Sequence, residues 1–319
     1  MKKFLSICLP LIVLSTVLSA CTSDQKTDSG KLQIVTTNFA EYDWVRSIVG
    51  STDSFEITML GGGVDLHSFQ PSAAYIITIT ESDMFVYVGG ESDTWVGDVL
   101  KGSKNDNMEI LSLMDILGEN AKIEEHIEGM ESESSGEEEE DEYDEHVWLS
   151  LKNAVVFCEK IESSIEKLDP DNKNEYKGNF ENYKQRLTDL DKQYSDMIDN
   201  AAKNVLVFGD RFPFRYMTSD YGLEYYAVFS GCSAETEASF ETITFMADKI
   251  DSLSLDCVIT IEGSDKKLAE TIIQNTKSKS QKILTLNSMQ SVSMSDIENG
   301  ETYLGVMEEN LTVLSEALN

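Results

Sequence analysis

The feature that most constrains the fold is an uninterrupted helical pattern near the middle of the chain. No glycine or proline occurs in residues 179–203, and apolar side chains recur there at steps of three and four. These apolar positions are Phe180, Tyr183, Leu187, Leu190, Tyr194 and Ile198. A helix of about 30 residues spans roughly 45 Å, which is long enough to run along two domains. We therefore predict a linking helix over residues 169–203, with one lobe on each side of it.

The segment before this helix alternates between strand and helix patterns. Apolar strand patterns occupy residues 32–37, 55–60 and 84–88, and the last two end at glycines. Such alternation is typical of a parallel sheet covered by helices, whose binding sites lie at the carboxyl ends of the strands. We predict a first lobe over residues 31–168.

The same alternation returns after the helix, which predicts a second lobe over residues 204–319. Its strand patterns are residues 205–208, 225–229, 257–261 and 283–286. The predicted fold class is therefore α/β. It has two lobes, each a mostly parallel sheet flanked by helices, and one long rigid helix joins them.

The charge balance restricts the partners of the chain. Asp and Glu number 58 against 25 Lys and Arg, which gives a formal charge of −33. Nucleic acid requires a basic surface, so the composition argues against that class of partner. An acidic excess suits cations better, although a solvated acidic surface is its commonest meaning.

The N-terminus has the pattern of an export signal. A short basic start precedes an apolar run over residues 4–17, which is too short for a comfortable membrane span. Leu-Ser-Ala then leads into Cys21, which resembles a bacterial lipobox. This resemblance implies a signal peptide of residues 1–20, lipid attachment to Cys21 and a polar tether over residues 21–30. An ordinary signal peptide with a chance cysteine is the alternative. On the first interpretation, the protein is extracytoplasmic and lipid-anchored to the bacterial cell membrane.

Three further cysteines, Cys158, Cys232 and Cys257, follow the predicted leader and anchor. Their odd number and wide separation are not typical of a disulfide framework, and they lack the paired spacing of thiolate zinc sites. We interpret all three as small buried hydrophobic residues, which is the usual role of free cysteine.

Two histidines occupy positions that favour a binding site. His67 follows a predicted strand by one loop, which begins with three glycines at residues 61–63. His146 follows a run of Glu, Asp, Ser and Gly over residues 124–144 and directly precedes an apolar Val-Trp-Leu. This run has too few apolar residues to fold alone, so we predict a disordered, solvated loop that collects cations weakly. The alternative interpretation is an acidic surface loop beside a half-buried histidine.

Several motifs together resemble the metal-specific solute-binding proteins of zinc and manganese ABC transporters, and more closely the zinc-type branch. These motifs are Asp65-Leu66-His67-Ser68-Phe69-Gln70-Pro71-Ser72, Tyr87-Val88-Gly89-Gly90, Asp144-Glu145-His146-Val147-Trp148-Leu149-Ser150 and Gly231-Cys232-Ser233-Ala234-Glu235-Thr236-Glu237. The resemblance implies a metal ion held between two α/β lobes, with His67 and His146 as ligands from the first lobe. The family usually has a histidine-rich loop before the second histidine, whereas this loop is acidic and contains only His126.

The second lobe departs from the family pattern. The resemblance places a third ligand, usually His, at Arg211 or Asp210, and a fourth, usually Asp, near Asn287. Arginine cannot bind a cation, so we expect its side chain to turn away or to pair with a carboxylate. Asp210 and Glu262 each follow an apolar strand pattern within two residues, and we predict them as the third and fourth ligands. The acidic residues in reserve are Glu235 and Glu237.

These features predict capture of a divalent metal outside the cell, Zn²⁺ first and Mn²⁺ as the alternative, for delivery to an ABC permease. Binding should weaken on acidification, because each imidazole ligand must be neutral. A surface metallohydrolase is a rival hypothesis, but the chain has no HExxH or GxSxG motif. We therefore predict that the protein is not an enzyme. A surface adhesin or interaction lipoprotein with a structural metal is the third hypothesis.

Overall fold

The computed structural model describes residues 30–131, 142–233 and 237–319. The predicted signal peptide, Cys21 and nearly all of the tether lie outside the described residues, as do residues 132–141 of the acidic run and Glu235. Within the described ranges, no helix is both long enough and apolar enough to cross a bilayer.

The first lobe is built on a four-stranded parallel sheet with the strand order β2-β1-β3-β4. Its strands are β1 (Leu32–Thr36), β2 (Phe55–Met59), β3 (Met84–Tyr87) and β4 (Glu109–Ser112). Its helices are α1 (Phe39–Val49), α2 (Ala73–Thr80), α3 (Val96–Leu100), α4 (Leu113–Leu117) and α5 (Leu151–Leu168). Successive side chains point to opposite faces of a strand, so Ile34 and Val35 of β1 enter different core clusters. Burial on both faces explains why the strands read as continuous apolar runs.

The second lobe repeats this plan with a parallel sheet in the order β6-β5-β7-β8. Its strands are β5 (Val205–Phe212), β6 (Glu224–Ser230), β7 (Cys257–Ile261) and β8 (Lys282–Leu286). Its helices are α7 (Arg215–Tyr221), α8 (Phe240–Leu253), α9 (Lys267–Asn275), α10 (Met294–Glu298) and α11 (Tyr303–Leu318). The predicted α/β fold with two parallel sheets is confirmed.

Strand β5 is longer than the sequence predicts. The predicted strand ended at Phe208 with Asp210 in the loop beyond, but β5 continues to Phe212. Its pairing with β6 is interrupted by a register irregularity between Phe208 and Arg211, and it resumes at Arg211. A bulge of this kind bends a strand and redirects its side chains. Asp210 and Arg211 therefore lie within the strand, because pairing with β6 extends it past the apolar run.

The predicted linking helix is present as α6, Lys173–Asp199. It begins four residues later and ends four residues earlier than predicted, and its 27 residues span about 40 Å. Five of the six predicted apolar positions are buried, namely Phe180, Tyr183, Leu187, Leu190 and Tyr194. Ile198 is only partly buried, and Tyr176 extends the stripe towards the start of the helix. The helix packs against α1 and α5 of the first lobe and against α11 of the second.

One apolar core runs through both lobes. Ile34 of the first sheet and Ile259 of the second belong to the same cluster of buried side chains. Trp148 connects the lobes by hydrogen bonds as well, because its Nε1 donates to the Ser288 carbonyl at 2.8 Å. The carbonyl of Trp148 accepts from the Tyr303 hydroxyl at 2.7 Å. Buried packing therefore joins the lobes in addition to α6.

The start of the acidic run is attached to the second lobe. Glu131 donates its backbone N–H to a β6 carbonyl at 2.9 Å, and Ile127 and Met130 pack against the shared core. The prediction of a free, solvated loop is therefore wrong for residues 124–131. Two apolar side chains among the acids hold this part of the run against the protein.

Candidate metal centre

Two histidine side chains face each other beside the cleft between the lobes. His67 lies in a 3-10 turn (Leu66–Ser68) after β2, and His146 directly precedes a second such turn (Val147–Leu149). Their Nε2 atoms are 3.3 Å apart. Two nitrogens that bind one tetrahedral zinc ion at about 2.0–2.1 Å are separated by roughly 3.3 Å. The pair therefore has the spacing that a single ion requires.

The outer nitrogen of each ring has its own hydrogen-bonding partner. Nδ1 of His146 lies 3.1 Å from Asp144 Oδ1, and Nδ1 of His67 lies 2.8 Å from Ser92 Oγ. An Nδ1–H that donates to the Asp144 carboxylate leaves Nε2 of His146 unprotonated and directed towards His67. Such carboxylate–histidine contacts orient metal ligands and raise their basicity.

The surroundings shift the pKa values of the two imidazoles in opposite directions. Burial and the adjacent His146 lower the pKa of His67 to about 3, which keeps this ring neutral. Burial would also lower the pKa of His146, but the Asp144 carboxylate outweighs that effect and leaves the pKa above its usual value. His146 is fully buried, whereas the His67 side chain is 15% exposed. The two histidines therefore offer one inner and one accessible ligand.

Cys232 is the third potential ligand at this point. Within the described residues, the ligand atoms of His67, His146 and Cys232 form one group, in which all atoms lie within 4.8 Å of one another. Cys232 follows β6 after Gly231, and a Cβ on Gly231 would lie 3.1 Å from the His146 ring. Glycine therefore lets the chain pass close to His146 and brings the next residue to the site. Sequence reasoning missed this thiol, although its place just after an apolar strand was the signal used for Asp210 and Glu262.

Asp210 and Glu262 line the adjoining cleft, which has a volume of about 530 Å³. Asp210 accepts from the backbone N–H of Arg211 at 2.9 Å and of Ile261 at 3.4 Å. Glu262 accepts three hydrogen bonds from Ser288 and Gln290, at 2.6, 2.7 and 3.1 Å. Neither carboxylate belongs to the His–His–Cys group found among the described residues. Their assignment as ligands stays a prediction.

The positive charge of Arg211 is paired with a carboxylate and is not presented unpaired to the histidines. Its guanidinium donates to Asp65 Oδ2 at 2.7 Å, which joins β5 of the second lobe to the loop that carries His67. The other oxygen of Asp65 accepts the backbone N–H of His67 at 3.0 Å. Pairing with a carboxylate was one of the two arrangements expected for this arginine, and it is the one observed.

With this geometry in place, comparison with known proteins identifies the family. The family described as zinc-uptake complex component A, periplasmic (ZnuA), matches residues 34–317. The chain belongs to this family. The zinc-type resemblance that the motifs indicated is therefore confirmed.

Individual members show how far the similarity extends. The zinc-binding lipoprotein AdcA of Streptococcus pneumoniae (strain R6) is 31% identical over 320 residues, covering 99% of this chain and 61% of AdcA. This chain thus spans about three fifths of the length of that relative. The high-affinity zinc uptake system protein ZnuA of Bacillus subtilis (strain 168) is 27% identical over 309 residues, covering 93% of this chain and 90% of ZnuA.

Solved structures share the fold. The crystal structure of the Zn(II)-bound ZnuA-like domain of Streptococcus pneumoniae AdcA aligns with a TM-score of 0.70 and 28% identity. The alignment covers 91% of this chain and 99% of that domain. The two-lobed α/β arrangement of this ZnuA-family chain is therefore that of a zinc-bound relative.

The contact between Asp144 and His146 gives a first prediction. Asp144→Asn keeps the shape of the side chain but removes the charge that orients His146, so zinc affinity should fall about 10–100-fold. Competition against a chromogenic chelator measures the change. Asp98→Asn is the matched control, because the Asp98 side chain is 87% exposed. Equal affinities for the two variants would contradict the role given to Asp144.

Proposed function

We propose that this ZnuA-family chain is an extracytoplasmic solute-binding protein that captures Zn²⁺ between its lobes and delivers it to an ABC permease. The observation that carries this proposal is the pair of Nε2 atoms 3.3 Å apart, with each outer nitrogen beside its own oxygen partner. The relatives named as zinc-binding or zinc uptake proteins support the same metal and the same role.

The two histidines have different roles in binding the ion. His67 is partly exposed and lies beside Asp65 and Ser68, which line the open cleft, so it is the ligand that an incoming ion reaches first. His146 is fully buried against the second lobe and completes the coordination from inside. Imidazole suits zinc better than manganese, which binds best to oxygen ligands. The ion is the cargo of the protein, and we propose no reaction on it and no enzymatic activity.

The proposed location rests on the leader and the family. The lipobox pattern at Cys21 supports a lipid anchor on the outer face of the membrane, and the printed name of the pneumococcal relative is that of a lipoprotein. A single acyl chain gives only marginal membrane binding, so stable anchoring requires more than one. Anchoring would hold the captured ion close to a membrane permease.

Metal content after direct competition tests the proposed function. Purified protein is equilibrated with equal concentrations of Zn²⁺ and Mn²⁺, freed of unbound metal and submitted to elemental analysis. We expect about one zinc per chain and only traces of manganese, because the imidazole pair prefers zinc. The double variant His67→Ala/His146→Ala should retain no tightly bound zinc. Manganese in excess, or full zinc content in the double variant, would overturn the proposal.

A further inference from the structure

We propose that Cys232 supplies a thiolate ligand to the ion held by His67 and His146, and that this sulfur makes the site selective for zinc over manganese. The inference rests on the proposed function and specifies the chemistry of the same site. Cys232, which follows the neighbouring strand β6, takes the ligand role that the sequence suggested for Asp210.

Proximity is the first support. The sulfur of Cys232 lies within 4.8 Å of the ligand nitrogens of both histidines. Sulfur and nitrogen ligands on one tetrahedral zinc ion, at about 2.3 Å and 2.0–2.1 Å, are separated by roughly 3.6 Å. The 4.8 Å limit exceeds this separation by about 1.2 Å, so a side-chain shift of that size or less brings the sulfur to bonding distance. The set takes two imidazoles from the first lobe and one thiol from the second, so the ion would join the lobes.

The backbone that carries Cys232 is held in place. Its N–H donates to Glu124 Oε1 at 3.0 Å, and Ser230 at the end of β6 pairs with Phe212 of β5. Gly231 fits against the His146 ring, where a larger residue would push the segment away. Cys232 is therefore positioned by a sheet edge on one side and by the acidic segment on the other.

The charges around the thiol favour a cation. The carboxylates of Glu124, Asp144 and Glu145 lie near the Cys232 thiol. Glu145 Oε2 is buried without a hydrogen-bonding partner and lies 3.6 Å from His67 Nδ1. A bound metal ion deprotonates a coordinating thiol outright, and these carboxylates stabilise the positive charge of the ion. Binding breaks the S–H bond, forms the metal–sulfur bond and releases the proton to solvent.

Asp210 and Glu262, the ligands predicted from sequence, accept hydrogen bonds that hold the backbone of the second lobe. Glu262 holds the turn after β8 through its three hydrogen bonds to Ser288 and Gln290. Asp210 accepts backbone N–H groups of β5 and β7. A site with two imidazoles and a thiolate should discriminate against manganese more sharply than the oxygen-rich site expected from sequence, because thiolates favour zinc.

Cobalt substitution tests the proposal directly. Co²⁺ bound to a thiolate gives an intense near-ultraviolet charge-transfer band, whereas bound imidazole and carboxylate do not. Purified protein loaded with Co²⁺ should show this band, and Cys232→Ser should lose it while the visible bands of bound cobalt persist. Cys257→Ser is the matched control, since Cys257 lies at the start of β7 and belongs to no ligand group found in the described residues.

Zinc and manganese affinities give a second readout. Cys232→Ser should weaken zinc binding by at least about tenfold, the lower limit for the loss of a residue that only supports a ligand. The affinity of this variant for Mn²⁺ should change less, so the ratio of its zinc affinity to its manganese affinity should decrease. Cys257→Ser should leave both affinities unchanged.

A measurement on the unaltered protein keeps the proposal testable if Cys232→Ser does not fold. Zn²⁺ should slow alkylation of Cys232, but not of Cys257, as followed by peptide mass spectrometry. Absence of the charge-transfer band together with unprotected Cys232 would overturn the thiolate ligand. Zinc binding that depends on His67 and His146 would then still support the proposed function. Failure of the protein to bind zinc at all would instead overturn both.

Discussion

His146→Ala is expected to lower zinc affinity by about 100-fold or more, which exceeds the 10–100-fold range typical of residues that only orient a ligand. The imidazole is fully buried, its Nε2 lies 3.3 Å from that of His67, and its Nδ1 faces the Asp144 carboxylate. Alanine removes the inner ligand and leaves Asp144 as a buried carboxylate with one partner fewer. Competition with a chelator of known zinc affinity measures the loss.

The control for this prediction is His126→Ala. His126 is exposed and belongs to no metal-ligand group found in the described residues, although it is the one histidine of the acidic run. Its replacement should change zinc affinity by less than about twofold, because an exposed side chain outside the ligand group contributes independently of the buried pair. Comparable losses in the two variants would mean that the acidic run, and not the buried pair, holds the ion.

Trp148→Ala is expected to destabilise the metal-free protein by about 3–5 kcal/mol, the usual cost of truncating a buried tryptophan. The Trp148 side chain is 2% exposed, and its Nε1 donates to the Ser288 carbonyl of the other lobe. Alanine would leave a cavity in the shared core and an unpaired buried carbonyl. Urea unfolding in the presence of a chelator measures the change without the contribution of bound zinc.

Trp95→Ala provides the comparison for this second prediction. Trp95 is only partly buried and packs at the edge of the smaller cluster beneath α2 and α3. The same deletion there should cost clearly less than at Trp148, because fewer buried contacts are lost. If the two variants unfold at similar urea concentrations, Trp148 is not the connection between lobes that its contacts indicate.

The sequence predicted the fold well because the fold is determined by local patterns. The steps of three and four along α6 and the short apolar runs of the strands depend only on neighbours in the chain. His67 and His146 could be proposed for a similar reason, since each stands in a short motif next to a turn or an apolar anchor. Strand β4 (Glu109–Ser112) was not predicted, because only two of its four residues are apolar and it runs directly into α4 at Leu113. Strand β3 is equally short, but all four of its residues are apolar or aromatic.

The second half of the site depends on contacts between distant segments. Asp210 entered β5 because pairing with β6 carries the strand beyond its apolar residues. Cys232 reaches His146 because Gly231, 85 residues further along the chain, packs against that imidazole. Residues 124–131 were expected in solvent because the segment is mostly acidic. Only two apolar side chains, Ile127 and Met130, anchor it to the core. Tertiary pairing, and not local preference, decides each of these positions.

The apolar core that runs through both lobes limits how an ion can enter and leave. Swinging the lobes apart as two hinged bodies would expose Trp148 and Tyr303, both buried now, and every 100 Å² of apolar surface so exposed costs about 2.5 kcal/mol. Movement of the loops around the site requires no such exposure. The Asp65–Arg211 ion pair, with its two side chains about a quarter exposed, is an interlobe contact beside the site that can open at low cost. Exchange of zinc should therefore proceed at the rate of loop motions, with the body of the protein acting as a fixed frame.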